Sequence, residues 1–419
     1  MDSKLNEAKA ILKKYNQEHL LHFYKSLSLE QRTFLLNQIL RIDFEKVLSL
    51  YESSKINIEF SNENITPLEH LEKNKFSDSE ISYYSHIGEK LLKENSFALV
   101  TMAGGQGSRL GYSGPKGTYE LFFEETNERK SLFKIICEDI LRINNKYKIT
   151  IPWYIMTSKS NDVQTRAYFE AHNYFNYPKE SVKFFIQDRL PVINLDKKFI
   201  LEEPFMIKEA SNGNGNVFKS MQKNGIIDDL KKKHIKWISF CGIDNILLKT
   251  VDPFFLGLTI DKNYEIASKS VFKTDPLDKI SVFCKSNGKP SILLHNYINL
   301  EMSNSKFDNG MYKYRESNML YHLMSLEAVE KACNIDLKYH KALKKNSFIN
   351  EEGVKQVPDQ PNIYKFEHFI FDIFYYFDDM LLLRVNEEEE FAPIKDFTSK
   401  YNPDTAMEKY LNYWKKDRP

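Results

Sequence analysis

The sequence predicts a mixed α/β protein: a mostly parallel central sheet flanked by helices, with a helical N-terminal region. Three observations predict it. Short apolar runs of strand length recur between residues 97 and 241, the first ending in glycines. Segments of helical period, such as Asp162–His172, lie between several of these runs, and alternating strands and helices build a parallel sheet covered on both faces. The first 95 residues carry the helical period instead.

Taken in order, Ser28 and Gln31 have the spacing of a capping box ahead of Leu36, Ile39 and Leu40. The polar stretch Ser61–Ser79 reads as a connection. Phe97–Met102 reads as a buried strand feeding the loop that opens at Gly104 and Gly105. Further strands are expected at Ile149–Met156, Val182–Ile186 and Ile235–Cys241. Glu265–Val271, Ile280–Cys284 and Ser291–His295 lie closer together and read as antiparallel. Phe366–Tyr376 is strongly aromatic, and Glu387–Glu390 reads as a solvated acidic face. The expected organisation is a helical region over 1–95, a catalytic domain over 96–385 and a short C-terminal segment over 386–419.

Composition excludes several function classes. With 42% hydrophobic and 14% aromatic residues, the 419-residue chain has material for a large core and is not disordered. Its 59 basic and 58 acidic side chains give no general pull toward nucleic acid or an anionic membrane. Lys231–His234 and Lys341–Lys345 are short basic runs of the kind found on solvated helix faces. The four cysteines include no C-x-x-C, which argues against a disulfide framework or a zinc site. The start is polar rather than signal-like, and no apolar run is long enough to span a bilayer. A soluble cytoplasmic protein is expected.

The most informative segment is Ala103-Gly104-Gly105-Gln106-Gly107-Ser108-Arg109-Leu110-Gly111, followed by Gly114-Pro115-Lys116-Gly117. Glycines let backbone N–H groups approach phosphate oxygens closely, Arg109 adds a planar fork for two oxygens, and Lys116 adds a second cation. A P-loop is excluded because lysine precedes glycine here, and a dinucleotide fingerprint because position 110 is Leu110. Phosphate binding is the expectation; an ordinary glycine-rich turn is the alternative.

These residues resemble the signature of nucleotide-sugar pyrophosphorylases, above all the UDP-N-acetylhexosamine type and its UDP-glucose relatives. The resemblance continues in order through Phe185–Pro191, Asn212–Asn216, Ile243–Leu247, Glu316–His322, Phe369–Asp372 and Glu390–Lys395, spanning about residues 20–406. It implies a Rossmann-like nucleotidyltransferase fold. It implies a uridylyltransferase that takes UTP and a sugar 1-phosphate, foremost N-acetylglucosamine 1-phosphate, to a UDP-sugar and pyrophosphate with Mg2+. A monomer or weak oligomer is expected. Ala103, Gly104, Gly105, Gly107, Gln187 and Gly213 would hold the nucleotide, Gln187 reading uracil. Asn214 and Asn318 would touch the sugar. Arg109 would hold the leaving pyrophosphate, Lys116 the α-phosphate and Lys395 the incoming phosphate, with magnesium on Asp244.

Each assignment has a plainer competitor. Gly213 and Asn214 form an ordinary turn pair, and Gln187 is a polar strand end. Asp244 follows an apolar run, where α/β sheets bind ligands, but an acid there also caps helices. Lys395 alone reads as a solvated lysine. Asn318 and His322, at i and i+4, are expected on one helix face, His322 as a buried, satisfied histidine. The histidines form no H-E-x-x-H and no triad, so hydrolases have no support. The reaction itself needs no general base, because the attacking phosphate is already ionised.

The resemblance departs at two places. N-acetylhexosamine-using members carry a Glu-Tyr pair in a strand whose counterpart here, Ile292–Ile298, has no glutamate. Glucose 1-phosphate therefore stays open as the substrate. The longer members also continue past the Lys395 motif into a C-terminal domain, which is expected to be absent or much reduced.

Overall fold

The computed structural model describes residues 2–53 and 65–416, arranged in two units that interleave along the chain. The first unit combines Met1–Glu59, Asp188–Asn216 and Leu337–Phe369; the second combines Phe60–Gln187, Val217–Asp336 and Ile370–Pro419.

In the first unit, helices α1 (Asp2–Lys14), α2 (Leu29–Arg41) and α3 (Phe44–Ser53) bury one apolar side each. The capping box starts α2 as its spacing predicts: Gln31 N–H donates to Ser28 Oγ (3.2 Å) and Ser28 N–H to Gln31 Oε1 (3.0 Å). Leu12, Leu35, Ile39 and Phe44 pack with Ile193, Phe199, Ile207 and Phe366 in one core. Gln38 lies within it and satisfies both polar groups of Ile207, donating to its carbonyl and accepting from its N–H, each at 2.8 Å. A buried amide so paired costs little to bury.

The second unit holds an eleven-stranded sheet. Its main path uses β1 (Leu71–Glu72), β2 (Phe97–Met102), β3 (Trp153–Thr157), β4 (Val182–Ile186), β5 (Trp237–Gly242), β6 (Ile266–Phe272), β7 (Glu316–Ser325) and β8 (Leu381–Arg384). In space the order is β1-β8-β6-β7-β5-β2-β3-β4. Every pairing on this path is parallel except the two made by β7, which runs against both β5 and β6. β2, β3 and β5 are almost wholly buried, as fully apolar runs require. β6, expected as antiparallel, pairs antiparallel on one side and parallel on the other. The strands Val282–Ser286 and Lys289–Leu293 form an antiparallel hairpin.

Helix α4 (Asp78–Lys93) packs on α5 (Pro253–Asp261) at backbone distance. A Cβ on Gly257 would lie 1.8 Å from the Tyr84 carbonyl oxygen, and one on Gly88 would lie 2.0 Å from that of Pro253. Gly257→Ala should therefore cost about 1–3 kcal/mol of stability, because the opposing atom is backbone and cannot rotate away. Urea denaturation tests this; a loss below about 0.5 kcal/mol would mean that the helices part freely.

Several expectations need correction. The predicted boundary at residue 95 does not separate the units, because α4 buries its apolar side on α5 and β1 joins the sheet. The first unit also draws on 188–216 and 337–369, from inside the predicted 96–385 block. Of the predicted connection Ser61–Ser79, residues 61–64 lie outside the described residues. The remainder forms strand Ile65–Thr66, β1 and a 3-10 turn before α4 begins at Asp78.

Asn318 and His322 lie on β7, not on a helix. Between them β7 bulges: Ser270 pairs with Asn318 and Ser268 with His322, so four steps on β7 match two on β6. Leu320 takes φ +57° within the bulge, and the Asn318 side chain accepts from its N–H (2.9 Å). His322 is fully buried and only half satisfied. Its Nδ1 meets Ser268 Oγ at 2.7 Å, while Nε2 has no partner among the described residues. Burial pushes its pKa down to about 3, so the ring is neutral.

The run Glu387–Glu390 is not uniformly solvated. Glu390 is fully buried, with Oε2 2.5 Å from Lys269 Nζ and Oε1 3.1 Å from Lys73 Nζ. Lys269, mid-strand on β6 and also fully buried, holds Asp252 at 2.7 Å as well. Asp252 in turn caps α5, accepting from the N–H groups of Phe254 and Phe255. All four cysteines are buried and unpaired, and no described helix is long and apolar enough to cross a membrane.

Candidate active site

The parallel strands β2, β5, β6 and β8 end at one edge of the sheet, where open α/β sheets bind ligands. The glycine loop leaves β2 there and is tied down from inside. Ala103 N–H donates to Met156 O (2.8 Å), Gly107 N–H to Gly114 O (2.9 Å) and Lys116 N–H to Gly105 O (3.1 Å). Asn161 donates from its amide to the carbonyls of Ala103 (2.9 Å) and Gly105 (3.2 Å). With those carbonyls occupied, the amides of Gly104, Gly105, Gln106, Ser108 and Arg109 donate to nothing among the described residues. A run of unpaired N–H groups is an anion cradle.

Two glycines of this loop are required by packing. A Cβ on Gly107 would meet the Tyr112 ring at 2.7 Å, and one on Gly117 would meet the Phe133 ring at 2.2 Å. Gly104 lies under Gln187, where a Cβ would come 2.2 Å from Nε2. Gln187 follows β4 directly, is 6% exposed, and is held by its N–H to Thr157 O (2.9 Å). Gln187 and the glycine loop thus lie together in the second unit.

Arg109 stands exposed on the 3-10 turn Ser108–Leu110, with no ion pair among the described residues. Lys116 Nζ sits 3.4 Å from Asp244 Oδ2, and the Asp244 side chain is 28% exposed. No helix starts at Asp244. Instead its carbonyl accepts from Ile394 N–H (2.8 Å), which lays 390–394 alongside 244–246. Asn245 reinforces that seam, donating to Glu390 O and accepting from Ala392 N–H, both at 2.8 Å. Lys395 comes next, its ammonium 4.6 Å from the centre of the Tyr401 ring.

The electrostatics of these groups are mutual. Burial would raise the Asp244 carboxyl, but Lys116 and Lys395 outweigh it and hold it below its ordinary value. Burial lowers Lys395; Asp244 and Asp278 oppose that shift, and Lys116 and Arg109 add to it. Arg109, Lys116, Asp244 and Lys395 therefore share one field in the second unit. Asn318 lies on β7 of the same unit.

Gly213 and Asn214 belong to the first unit. Gly213 takes φ +90°, and a Cβ there would meet the His368 carbonyl oxygen at 2.2 Å. The loop is zipped to that segment by His368 N–H to Asn212 O (2.8 Å) and Gly215 N–H to His368 O (3.0 Å). Sequence reasoning passed over Asn161 and Asn245, which position the glycine loop and the Lys395 segment. A polar cluster directly after a buried strand, Ser158-Lys159-Ser160-Asn161, is the signal that would have found the first.

Among the described residues no three His, Cys, Asp or Glu side chains gather as a ready-made metal cage. A single carboxylate beside a run of unpaired amides fits magnesium, which keeps several waters and needs few protein ligands.

A family model described as UTP–glucose-1-phosphate uridylyltransferase matches residues 41–402. The chain is 31% identical to a UDP-N-acetylglucosamine pyrophosphorylase of Saccharomyces cerevisiae, covering 97% of this chain and 90% of that protein. It is 33% identical to UDP-N-acetylglucosamine diphosphorylase 2 of Arabidopsis thaliana, covering 92% and 78%. Its structure is similar to that of the uridine diphosphate N-acetylglucosamine pyrophosphorylase of Trypanosoma brucei, solved with an inhibitor. That similarity has a TM-score of 0.81 at 25% identity, over 98% of this chain and 84% of that one.

Proposed function

Because this chain belongs to the UTP–glucose-1-phosphate uridylyltransferase family, we propose that it forms UDP-N-acetylglucosamine and pyrophosphate from UTP and N-acetylglucosamine 1-phosphate. The sugar is taken from the names of the relatives that match over nearly the whole chain. The observation that carries the chemistry is the shared field of Arg109, Lys116, Asp244 and Lys395 beside five unpaired loop amides.

An oxygen of the sugar 1-phosphate attacks the α-phosphorus of UTP. The new O–Pα bond forms as the bond from Pα to the bridging oxygen breaks, and that electron pair leaves with pyrophosphate. The nucleophile arrives ionised, so the protein's task is in-line alignment and charge cancellation. The loop amides and Arg109 hold the leaving group, Lys116 the α-phosphate and Lys395 the incoming phosphate. Gly104 and Gly105 offer their free amides to the nucleotide, Ala103 and Gly107, whose own N–H groups are bound to Met156 and Gly114, shape the loop around it, and the Gln187 amide matches the donor–acceptor edge of uracil. Gly213 takes part in nucleotide binding, and Asn214 and Asn318 in sugar binding. Asp244 would hold Mg2+, which when bound supplies positive charge to the phosphate oxygens. The four buried, unpaired cysteines suit a reducing cytoplasm.

A second reading, glucose 1-phosphate as substrate, is favoured by one observation: the stretch Ile292–Ile298 contains no glutamate. The test is pyrophosphate release with UTP and magnesium against N-acetylglucosamine, N-acetylgalactosamine, glucose and galactose 1-phosphates in parallel. N-acetylglucosamine 1-phosphate is expected to give the highest kcat/KM. Preference for glucose 1-phosphate would install the second reading. Binding of UTP without release of pyrophosphate from any sugar would make the chain a silent nucleotide-sugar-binding protein.

A further inference from the structure

Lys273 has no role in the scheme above. It follows β6 directly and is 4% exposed. Its backbone is locked: Lys273 N–H donates to Arg315 O (2.7 Å), while Arg315 Nη1 donates to the carbonyls of Lys273 (2.7 Å) and Thr274 (2.9 Å). Its ammonium has neither a carboxylate within 4.0 Å nor a hydrogen bond among the described residues. The other buried lysines are matched. Lys269, four residues earlier, holds two carboxylates, and Lys208 donates to Ser347 O and Oγ. Lys273 thus has an enclosed stem and an unpartnered ammonium that still reaches solvent, which is how a cation is presented to an arriving charged ligand.

Its neighbours tie Lys273 to Lys395. Both ammonium groups act on His295, and Asp278 acts on both. Lys395 lies over the Tyr401 ring, whose hydroxyl donates to Asp278 at 3.2 Å. In register, β6 faces Asn318 through Ser270, three residues before Lys273. β6 is also three strands from β2, about 14 Å across the sheet, so Lys273 stands well to one side of the glycine loop.

We propose that Lys273 is a second cation for the phosphate of the incoming sugar 1-phosphate, acting with Lys395. The inference rests on the uridylyltransferase reading. A sugar phosphate brings close to two negative charges, which one lysine does not balance. Placement on the β6 side assigns Lys273 to this substrate and not to the triphosphate on the β2 loop. Burial lowers the Lys273 pKa; Asp278 and Asp275 on its own loop oppose this, while Arg315 ahead of β7 and Lys400 beyond Lys395 add to it. An arriving dianion favours the charged form.

The test is steady-state kinetics of wild type, Lys273→Met and Lys273→Arg, with each substrate varied in turn. Wild-type turnover separates the two readings: without it the uridylyltransferase assignment falls, and this inference with it; with it the variants decide. Lys273→Met should raise KM for the sugar 1-phosphate about tenfold or more, leaving KM for UTP within about twofold, and Lys273→Arg should recover most of the loss. An unchanged KM for the sugar phosphate, or equal losses for both substrates, overturns the role. If Lys273→Met fails to fold, Lys273→Arg reads the same property, since arginine stays charged at every accessible pH. The alkaline rise in KM for the sugar 1-phosphate should then begin at higher pH than in the wild type, with Lys395 common to both. An identical alkaline limb overturns the proposal.

Discussion

Replacing Arg109 with alanine should lower kcat by about 10²–10³ with no loss of fold. The side chain is exposed on a 3-10 turn and makes no ion pair among the described residues, so its removal orphans no buried group. Stability should stay within about 0.5 kcal/mol of the wild type. What is lost is the fork that receives negative charge as pyrophosphate departs, and the unpaired amides of Gly104 and Gly105 do not replace a full charge. Lysine at this position should recover only part of the rate, because a point charge cannot grip two oxygens in one plane. Single-turnover pyrophosphate release measures the effect directly. Survival of kcat within a factor of about three would remove Arg109 from the leaving-group role.

Lys269→Met should be the most destabilising single change at the sheet, at about 3–5 kcal/mol, since breaking a buried ion pair from one side strands its partners. Two carboxylates, Asp252 and Glu390, would remain buried without the lysine that both contact. In the wild type, burial would raise both carboxyls, but Lys269 and Lys73 outweigh it and hold both below their ordinary values. The sign follows from that. Their contribution is complete above about pH 4–5, the unfolded carboxylate range, and is lost as pH falls through the folded values. In the variant Lys73 opposes the burial of the two acids without Lys269, so their folded values rise and the deficit against the wild type should narrow on acidification. Urea unfolding at about pH 7 and pH 4.5 tests both statements. A deficit below about 1 kcal/mol at pH 7 would show that the network carries no net stability. Activity should fall with stability, because Glu390 begins the segment that is seamed to Asp244 and ends in Lys395.

Much of the catalytic unit was legible in the sequence. Phe97–Met102 and Val182–Ile186 are strands with the predicted bounds, because fully buried parallel strands are written as unbroken apolar runs. The glycine loop announces itself through Arg109 and Lys116, and Asp244 through its place after β5. The inward turn of Glu390 was not legible, since an acidic run does not say which of its members meets a buried lysine. Nor was the bulge at Leu320, a left-handed position that local propensity gives to glycine or asparagine. His322 was expected to be satisfied; its second ring nitrogen depends on packing that no i, i+4 spacing encodes. Lys273 resembles any other lysine until its burial and its lack of a partner are seen together.

The first unit is stitched from three distant stretches of chain, and this bears on its birth as well as its final form. The pairing of Gln38 with Ile207 spans 169 residues. A ribosome adds about 5–20 residues per second, so α2 emerges on the order of ten to thirty seconds before the strand that covers it. Phe366, which closes the same core, follows later still. Throughout that interval Leu35, Leu36 and Ile39 have no sequence-distant partner to pack on, although all three are fully buried at the end. The apolar side of α2 thus waits for its distant partners over a defined window, which slowed translation between residues 41 and 188 should lengthen.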